Sequence, residues 1–457
     1  FLKFITTLND FILMVREEVV LIAPRTKAKG GADINPIKTP LTGLLTLATI
    51  IDKENYKVRF YDELLNKPDY EDLDPDFLLL SCMSATAKRG YEIADRFQNK
   101  DTTVVMGGLH PSFRPKESLK HCDKVVKGEG DKVILDILAG KYQKNLIEGE
   151  PVMDLDSIPL PDYGLIEGLT GQPDRVSINA SRGCPYSCKF CSLTKMFGTN
   201  IRTVSNKKVI DHLKEIETPK TLCFDEPNFR ADKRRAKNLV RSMIEHGISP
   251  KRTWISVSLD VAQDKEFLKL CSKASDFNFT IGLESINKKV QNSYSPGKRY
   301  SVKKMKKSIE TIRDYGIKIE GSFVFGSEHD GKEVFQNTLN FCKETEIEFP
   351  AFFPLTPYPG TELRKELSEQ GRIFTDNWNL YDNLHTVFHP KNMSPYELQE
   401  GIIDCYEEYY SMKKGLKHLA KGQFFYGGAT FYLKYLFYRI KRENKEYLRR
   451  LEDISKE

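Results

Sequence analysis

Three of the nine cysteines in this 457-residue chain fall within eight residues: Cys184, Cys188 and Cys191 in SRGCPYSCKFCS (181–192). Thiolates are ligands for soft metals, so a loop spaced Cys-x3-Cys-x2-Cys addresses a metal centre. A structural zinc site takes four protein ligands, usually as two separated pairs. A closed iron–sulfur cluster also takes four cysteines. Three thiolates on one loop can hold three irons of a [4Fe-4S] cube and leave the fourth iron open, able to bind and reduce a cosubstrate. Gly183 and Pro185 suit a tight loop around such a cluster. Zinc with a distant fourth ligand is the competing reading. The other six cysteines are scattered. Cys271 shares a helical face with Phe267 and Leu270, and Cys342 with Phe335 and Leu339, as small hydrophobes do in a core. Cys82, Cys122, Cys223 and Cys405 have no cysteine at cluster spacing, so a second cluster is not expected.

The elements that must carry this loop follow from the hydrophobic pattern. VVLIAP (19–24), KVRFYD (57–62), FLLLSCM (77–83), TTVVMGG (102–108) and KVVKGEG (124–130) read as strands alternating with helices. They predict a doubly wound α/β domain of about five parallel strands over residues 1–150. Residues 151–173, rich in Pro, Asp and Gly, read as an ordered linker. From 174 to 372 six longer units repeat the alternation, with strands at RVSINA, TLCFDE, WISVSLD, FNFTIGLES, KIEGSFVFG and PAFFPLT. Six βα units predict a partial (β/α)6 barrel of TIM type, with active-site residues just past the strand ends. The cysteine loop follows the first of these strands and so belongs at the mouth. Residues 373–457 are expected to form a mostly helical extension, whose most apolar stretch is FFYGGATFYLKYLFYRIKR (424–442).

Bulk properties narrow the class. A formal charge of +6 is small for this length, and no basic domain or RNA-reading motif stands out, so a nucleic-acid partner is not expected. Nine cysteines are too few for a disulfide scaffold, and the trio reads as ligands in a reducing compartment, which makes a cytoplasmic location the default. The chain opens on Phe1 rather than Met. Lys3, Asp10 and Glu17 interrupt its first apolar stretch, and neither a signal peptide nor a spanning helix is expected there.

GCPYSCKFCS resembles the cluster loop of the radical S-adenosylmethionine (SAM) superfamily. In that family the open iron chelates the amino and carboxylate groups of SAM, and an electron from the cluster yields a 5'-deoxyadenosyl radical that abstracts hydrogen from an unactivated carbon. The resemblance implies the same partial barrel. It also implies SAM contacts by Phe190 in the loop, Asp225 and Glu226 after the second strand, Ser258 on the third, Glu284 and Ser285 after the fourth, and Gly326 after the fifth. VVMGGLHPSFRP and VVKGEGD resemble the cobalamin-binding domain of a large branch of this family, with TPLTGLLTLATII before them. Its implied cobalamin contacts are Thr42, Gly43, Ser81, Met83, Ser84, Gly107, Gly108, His110, Gly128 and Glu129. The chain departs from the Asp-x-His-x-x-Gly cobalt-ligand motif: APRTKAKGGADINP, after the first strand, has no His. FFPLTPYPGTEL, DNWNLYD and HPKNMSPYELQEG resemble the tail of a subgroup that includes hopanoid methylases and archaeal lipid-ring synthases.

These readings lead to a radical SAM enzyme with a [4Fe-4S] cluster, SAM and cobalamin, acting on an unactivated carbon, with C-methylation, of a lipid for instance, the leading outcome. Radical cyclisation or C–C coupling without methyl transfer is the rival, and a non-catalytic cobalamin or cluster sensor the third reading. The implied partners are a ferredoxin- or flavodoxin-type electron donor and a small-molecule or lipid substrate. Lys434, Arg439, Lys441 and Arg442 among the aromatic residues of the C-terminal segment suit peripheral membrane contact, against which core packing is the alternative.

Overall fold

The computed structural model describes residues 16–25, 41–171, 173–216, 218–294 and 300–456. The first apolar stretch and most of APRTKAKGGADINP lie outside these residues. The described residues form two compact units that divide between Pro173 and Asp174.

The first unit is a six-stranded parallel sheet. Its strands are β1 (Glu17–Ala23), β2 (Tyr56–Asp62), β3 (Phe77–Ser81), β4 (Thr103–Gly107), β5 (Lys124–Gly128) and β6 (Leu146–Gly149), in the order β2-β1-β3-β4-β5-β6. Val19 to Ile22 and Leu78 to Leu80 are buried, the continuous apolar runs that a sheet covered on both faces demands. One strand more than expected is present. β6 is a four-residue edge strand with only Ile147 buried, too short and too polar to announce itself. The 151–173 segment packs onto this unit rather than spanning open space. Leu155, Tyr163 and Ile166 are buried, Ile166 bridges to Phe60, and Thr49 accepts from the Asp162 amide at 2.9 Å.

The second unit contains β7 (Arg175–Ile178), the short antiparallel pair β8 (Ser181–Arg182) and β9 (Arg202–Thr203), and then β10 (Thr221–Phe224), β11 (Arg252–Val257), β12 (Asp276–Glu284), β13 (Lys318–Phe325) and β14 (Phe349–Pro354). All six predicted barrel strands form. They make one parallel sheet in the order β14-β13-β12-β11-β10-β7, in sequence order and not closed on itself. Residues alternate along each strand. Ile255, Phe279, Ile281, Ile319 and Phe323 are buried under the surrounding helices, while Ser256, Thr280 and Ser322 face the interior. The C-terminal helices belong to this unit. Near the start of helix Phe424–Glu443, Tyr426 donates to Asp276 at 2.9 Å and stacks near Phe349, and Arg252 lies 3.7 Å from the Phe425 ring. All these partners sit at strand beginnings, so the helix caps the barrel end opposite the mouth.

Candidate functional site

The cysteine loop leaves β8 through Gly183, whose φ is +95° and whose added Cβ would lie 2.2 Å from the Asn200 carbonyl oxygen. Only glycine fits that approach. The loop is anchored on several sides. The Cys184 amide donates to Gly198 and the Cys191 amide to Cys188, closing the turn. The Lys189 amide donates to Tyr294, and its carbonyl accepts from Leu363 at 3.0 Å. Its ammonium bonds Glu366 at 2.5 Å, which raises its pKa. These bonds use Lys189, between two cysteines, as the fixed point from which the thiols project.

Cys184, Tyr186 and Phe190 line a cavity of about 300 Å³ at the barrel mouth, together with Asn228, Ser256, Ser258, Thr280, Glu284 and Ser322 from successive strand ends. Of the residues implicated in SAM contact, Phe190, Ser258 and Glu284 are in this wall. Glu284 carries the clearest conformational mark. The β12–β13 register shifts between Gly282 and Glu284, and Glu284 has φ +61°. A left-handed glutamate is costly, and a bulge re-aims a side chain; here the side chain ends up on the cavity wall. Asp225 stands exposed just past the end of β10, outside this wall, and desolvation by the surrounding protein raises its pKa.

Three more expected contacts, besides Asp225, are not in the wall. Glu226 is buried, accepts from Ser181, and pairs with Arg235 at 3.2 Å. Arg235 also donates to the Ala180 carbonyl at 3.1 Å, so the pair braces the chain entering the cysteine loop. Ser285 is buried in a turn that accepts from the Asn287 amide. Gly326 faces Leu398 and Phe388, at 2.6 and 3.0 Å from an added Cβ, so its missing side chain makes room for packing rather than for adenine.

Sequence reasoning missed Tyr186, Asn228, Thr280, Tyr358 and Asn383, all in the cavity wall. The polar interior face of the strands was a signal for Thr280. Nothing local marked Asn383, which comes from the C-terminal segment. It has φ +65°, accepts from the Tyr358 hydroxyl at 2.9 Å, and follows Asp382, which binds the buried His385. Below the cavity, burial pushes the Cys223 thiol up to about 12 and the Glu320 carboxyl up to about 7. Burial likewise raises Cys82, Cys122, Cys271, Cys342 and Cys405, which disfavours the thiolate that a metal needs.

The donor set fits a cluster better than a lone ion. No group of three or more such side chains among the described residues converges on a single ion site. Thiolates spread over three irons need no such convergence.

In the first unit the sheet order places a topological switch between β1 and β3, where ligands of such sheets bind. Among the described residues, nothing lies within 4 Å of a Cβ added at Gly43, and Met83 is exposed. With Ser81 and Gly107 they leave an open, small-residue approach at the strand ends, which fits a bulky cofactor tail. Thr42 is buried in the first helical turn. Five other expected contacts turn inward or are filled by protein. His110 is buried, with its ring nitrogens 3.2 Å from Ser84 Oγ and 3.1 Å from the Tyr91 hydroxyl, and Ser84 is buried with it. Glu129 accepts from the Val152 amide at 3.1 Å. Gly128 permits contact with Gly149 O, 2.3 Å from an added Cβ. Gly108, φ +94°, is likewise enclosed by Ser81 and Cys82.

The comparisons agree with this division. Residues 178–342 match the Radical SAM superfamily and residues 38–138 the B12 binding domain. The chain is 30% identical over 394 residues to the bacteriochlorophyllide d C-8(2)-methyltransferase of Chlorobaculum tepidum, covering 81% of this chain and 85% of that one. It is 25% identical to the hopanoid C-2 methylase of Rhodopseudomonas palustris over 74% of this chain and 66% of that one. The fold is that of the cobalamin-dependent SAM radical enzyme OxsB, with a TM-score of 0.67, 15% identity, and coverage of 95% of this chain and 75% of that one. A [4Fe-4S] cluster, SAM and cobalamin are therefore the cofactors. The chain belongs to the cobalamin-binding radical SAM family of enzymes.

Proposed function

We propose that this chain is a C-methyltransferase that places a methyl group on an unactivated carbon of a small apolar, ring-bearing molecule. The observation that carries the reading is the pairing of a three-cysteine loop, whose Cys184 lines the barrel mouth, with a B12-binding unit in one chain, matched over most of its length to a methyltransferase. When bound, the cluster supplies the electron that cleaves SAM to a 5'-deoxyadenosyl radical, and cobalamin supplies the methyl group.

The chain's own residues do the positioning. Glu284 and Asp225 offer carboxylates to the hydroxyls and amine of SAM, and Ser258 and Asn228 offer neutral polar contacts beside them. Phe190 and Tyr186 wall the cysteine side against water. Phe353 and Leu355, at the far strand, give the cavity an apolar side where a hydrocarbon substrate can rest. Gly43, Ser81, Met83 and Gly107 would hold the corrin's tail. The two relatives act, by name, on a bacteriochlorophyllide and a hopanoid. A ferredoxin- or flavodoxin-type protein is the proposed electron donor.

The test is anaerobic reconstitution with iron and corrin quantified, followed by assay on chlorophyllide-type and hopanoid-type substrates. Methylation predicts equal amounts of S-adenosylhomocysteine and 5'-deoxyadenosine per product, and a product heavier by one methylene. 5'-Deoxyadenosine with a product of unchanged carbon count would replace methylation by cyclisation.

A further inference from the structure

Residues 411–442 contain eight Lys and Arg and no Asp or Glu, a formal +8 in a chain whose total is only +6. They form the helices Met412–Ala420 and Phe424–Glu443, which pack as an antiparallel hairpin: Gly415 lies against the Phe431 ring and Gly427 against Leu419. The longer helix has two faces. Tyr426, Leu433, Leu436, Phe437 and Ile440 are buried, with Phe437 stacked on Tyr406 at 3.5 Å. The opposite face leaves Phe424 73% exposed, Tyr435 60% and Tyr438 59%, with Tyr432 in the same row. On the shorter helix Met412 and Leu416, more than half exposed, extend the apolar face.

Core packing therefore accounts for only one side of this segment. Isolated exposed apolar residues need no explanation, but a row of them beside unopposed cations does. Lys441 pairs with Asp404 and Glu407, and Lys417 with Glu346. Among the described residues, Lys413, Lys421, Lys434 and Arg442 make no ion pair. Lys413, Lys414, Lys417 and Lys421 also line a cavity of about 290 Å³ beside the hairpin; its Glu346, Glu348 and Glu408 pair with Lys417, Arg313 and Lys343. No helix among the described residues is long and apolar enough to cross a membrane, so such a face would lie on a bilayer rather than span it.

We propose that the exposed face of this hairpin docks on an anionic lipid surface, with Phe424, Tyr432, Tyr435 and Tyr438 at the headgroup boundary and the unpaired lysines on anionic headgroups. The physical fit is that of an interfacial helix, whose apolar burial and attraction to acidic lipids act together. The charge selects this occupant: an apolar partner face alone would leave the lysines unmatched. The orientation also serves a substrate held in a bilayer. The helix starts at the capped barrel end through Tyr426 and finishes at Asn444, which bonds His385 two residues from the cavity-lining Asn383. Its exposed face thus runs along the side of the barrel toward the mouth.

The test is flotation of the reconstituted full chain with vesicles of pure phosphatidylcholine and of phosphatidylcholine with about one-third phosphatidylglycerol. The expected result is binding at least about tenfold stronger to the anionic vesicles, weakened by added salt. The triple variant Tyr432→Ser, Tyr435→Ser, Tyr438→Ser should lose about tenfold in binding, and Lys413→Glu with Lys421→Glu should remove the preference for anionic lipid. Both should keep the parent's cluster absorbance and SAM cleavage, since none of these residues touches the mouth. That readout separates failure of docking from failure of the methyltransferase reading. Absence of binding to anionic vesicles overturns the proposal, as does binding that both variants leave intact. A parent dimer that the tyrosine variant converts to monomer also overturns it, and gives the face to a second copy of the chain.

Discussion

At the barrel mouth, Phe190, Ser258 and Glu284 turn toward one cavity with Cys184, whereas at the strand ends of the first unit Ser84, His110 and Glu129 turn inward and bond to their own domain. Both sets consist of polar or small residues just past parallel strands, and both drew attention for that reason. The difference lies in what each sheet encloses. A partial barrel wraps its strand ends around a concavity, so alternate residues face empty space. The open sheet of the first unit has helices and loops folded over most of its strand ends, and a polar group there finds a protein partner first. An approach for ligand remains where side chains are missing or project outward, at Gly43 and Met83. Strand-end position is thus a strong indicator of function in a barrel and a weaker one in an open sheet.

The largest effect that tests this contrast is at the mouth. Cys184→Ala should abolish the cluster's visible absorbance and lower 5'-deoxyadenosine formation by roughly a thousandfold or more. Corrin content should stay at the parent level. Loss of corrin together with the cluster would contradict the assignment of the two cofactors to separate units. The matching change in the first unit is Gly43→Leu, which fills open space. It should cut bound corrin by about tenfold with no loss of folding stability, because no atom of the described residues lies within 4 Å of the new Cβ.

Two changes at inward-turned residues should give the opposite pattern. His110→Ala removes the ring partner of buried Ser84 and one bond of the Tyr91 hydroxyl, which keeps Ser118, and should cost about 1–3 kcal/mol of stability while the folded protein still binds corrin. Gly108→Ala puts a Cβ 2.8 Å from Ser81 Oγ in a left-handed conformation, with a cost of similar size. At the mouth, Glu284→Gly relieves the same kind of backbone strain. Denaturation should show stability unchanged or higher, while the KM for SAM rises about tenfold. A Glu284→Gly variant that is both less stable and normal toward SAM would make Glu284 a structural residue like His110.

These contrasts show how far the sequence could be read. The six barrel strands and the first five of the amino-terminal sheet were legible because each is a run of buried Val, Ile, Leu or Phe with a clear period. The cysteine loop was legible because its chemistry is carried by residue type and spacing over eight positions. Glu226 was misread because a strand-end carboxylate is the same letter whether it faces a ligand or Arg235, nine residues away in sequence. Asn383 was invisible for the complementary reason: its place at the mouth depends on the Asp382–His385 pair and on Asn444, some sixty residues later. Pairings of that length are set by tertiary packing, which no local pattern reports.

The buried acids extend the comparison and give the smallest effect. In the first unit Asp62 is saturated: Arg25 bonds both its oxygens at 3.2 Å, and the Leu41 and Leu64 amides donate at 3.1 and 2.9 Å. In the barrel interior Glu320 accepts, among the described residues, only a long 3.5 Å bond from Thr280, and burial raises its pKa from 4.5 to about 7. A folded-state pKa above the unfolded one means that the folded protein holds the proton more tightly. The stabilisation is complete below about pH 4.5 and is lost as the pH rises through about 7. Above that range the charged carboxylate sits in a poorly solvating interior. Glu320→Gln keeps a neutral amide in its place at every pH, so its melting temperature should exceed the parent's by a few degrees at pH 8 and by little at pH 5. An advantage independent of pH would mean that Glu320 is already solvated or paired in the folded barrel, and that the interior beneath the mouth is as well satisfied as the pocket around Asp62.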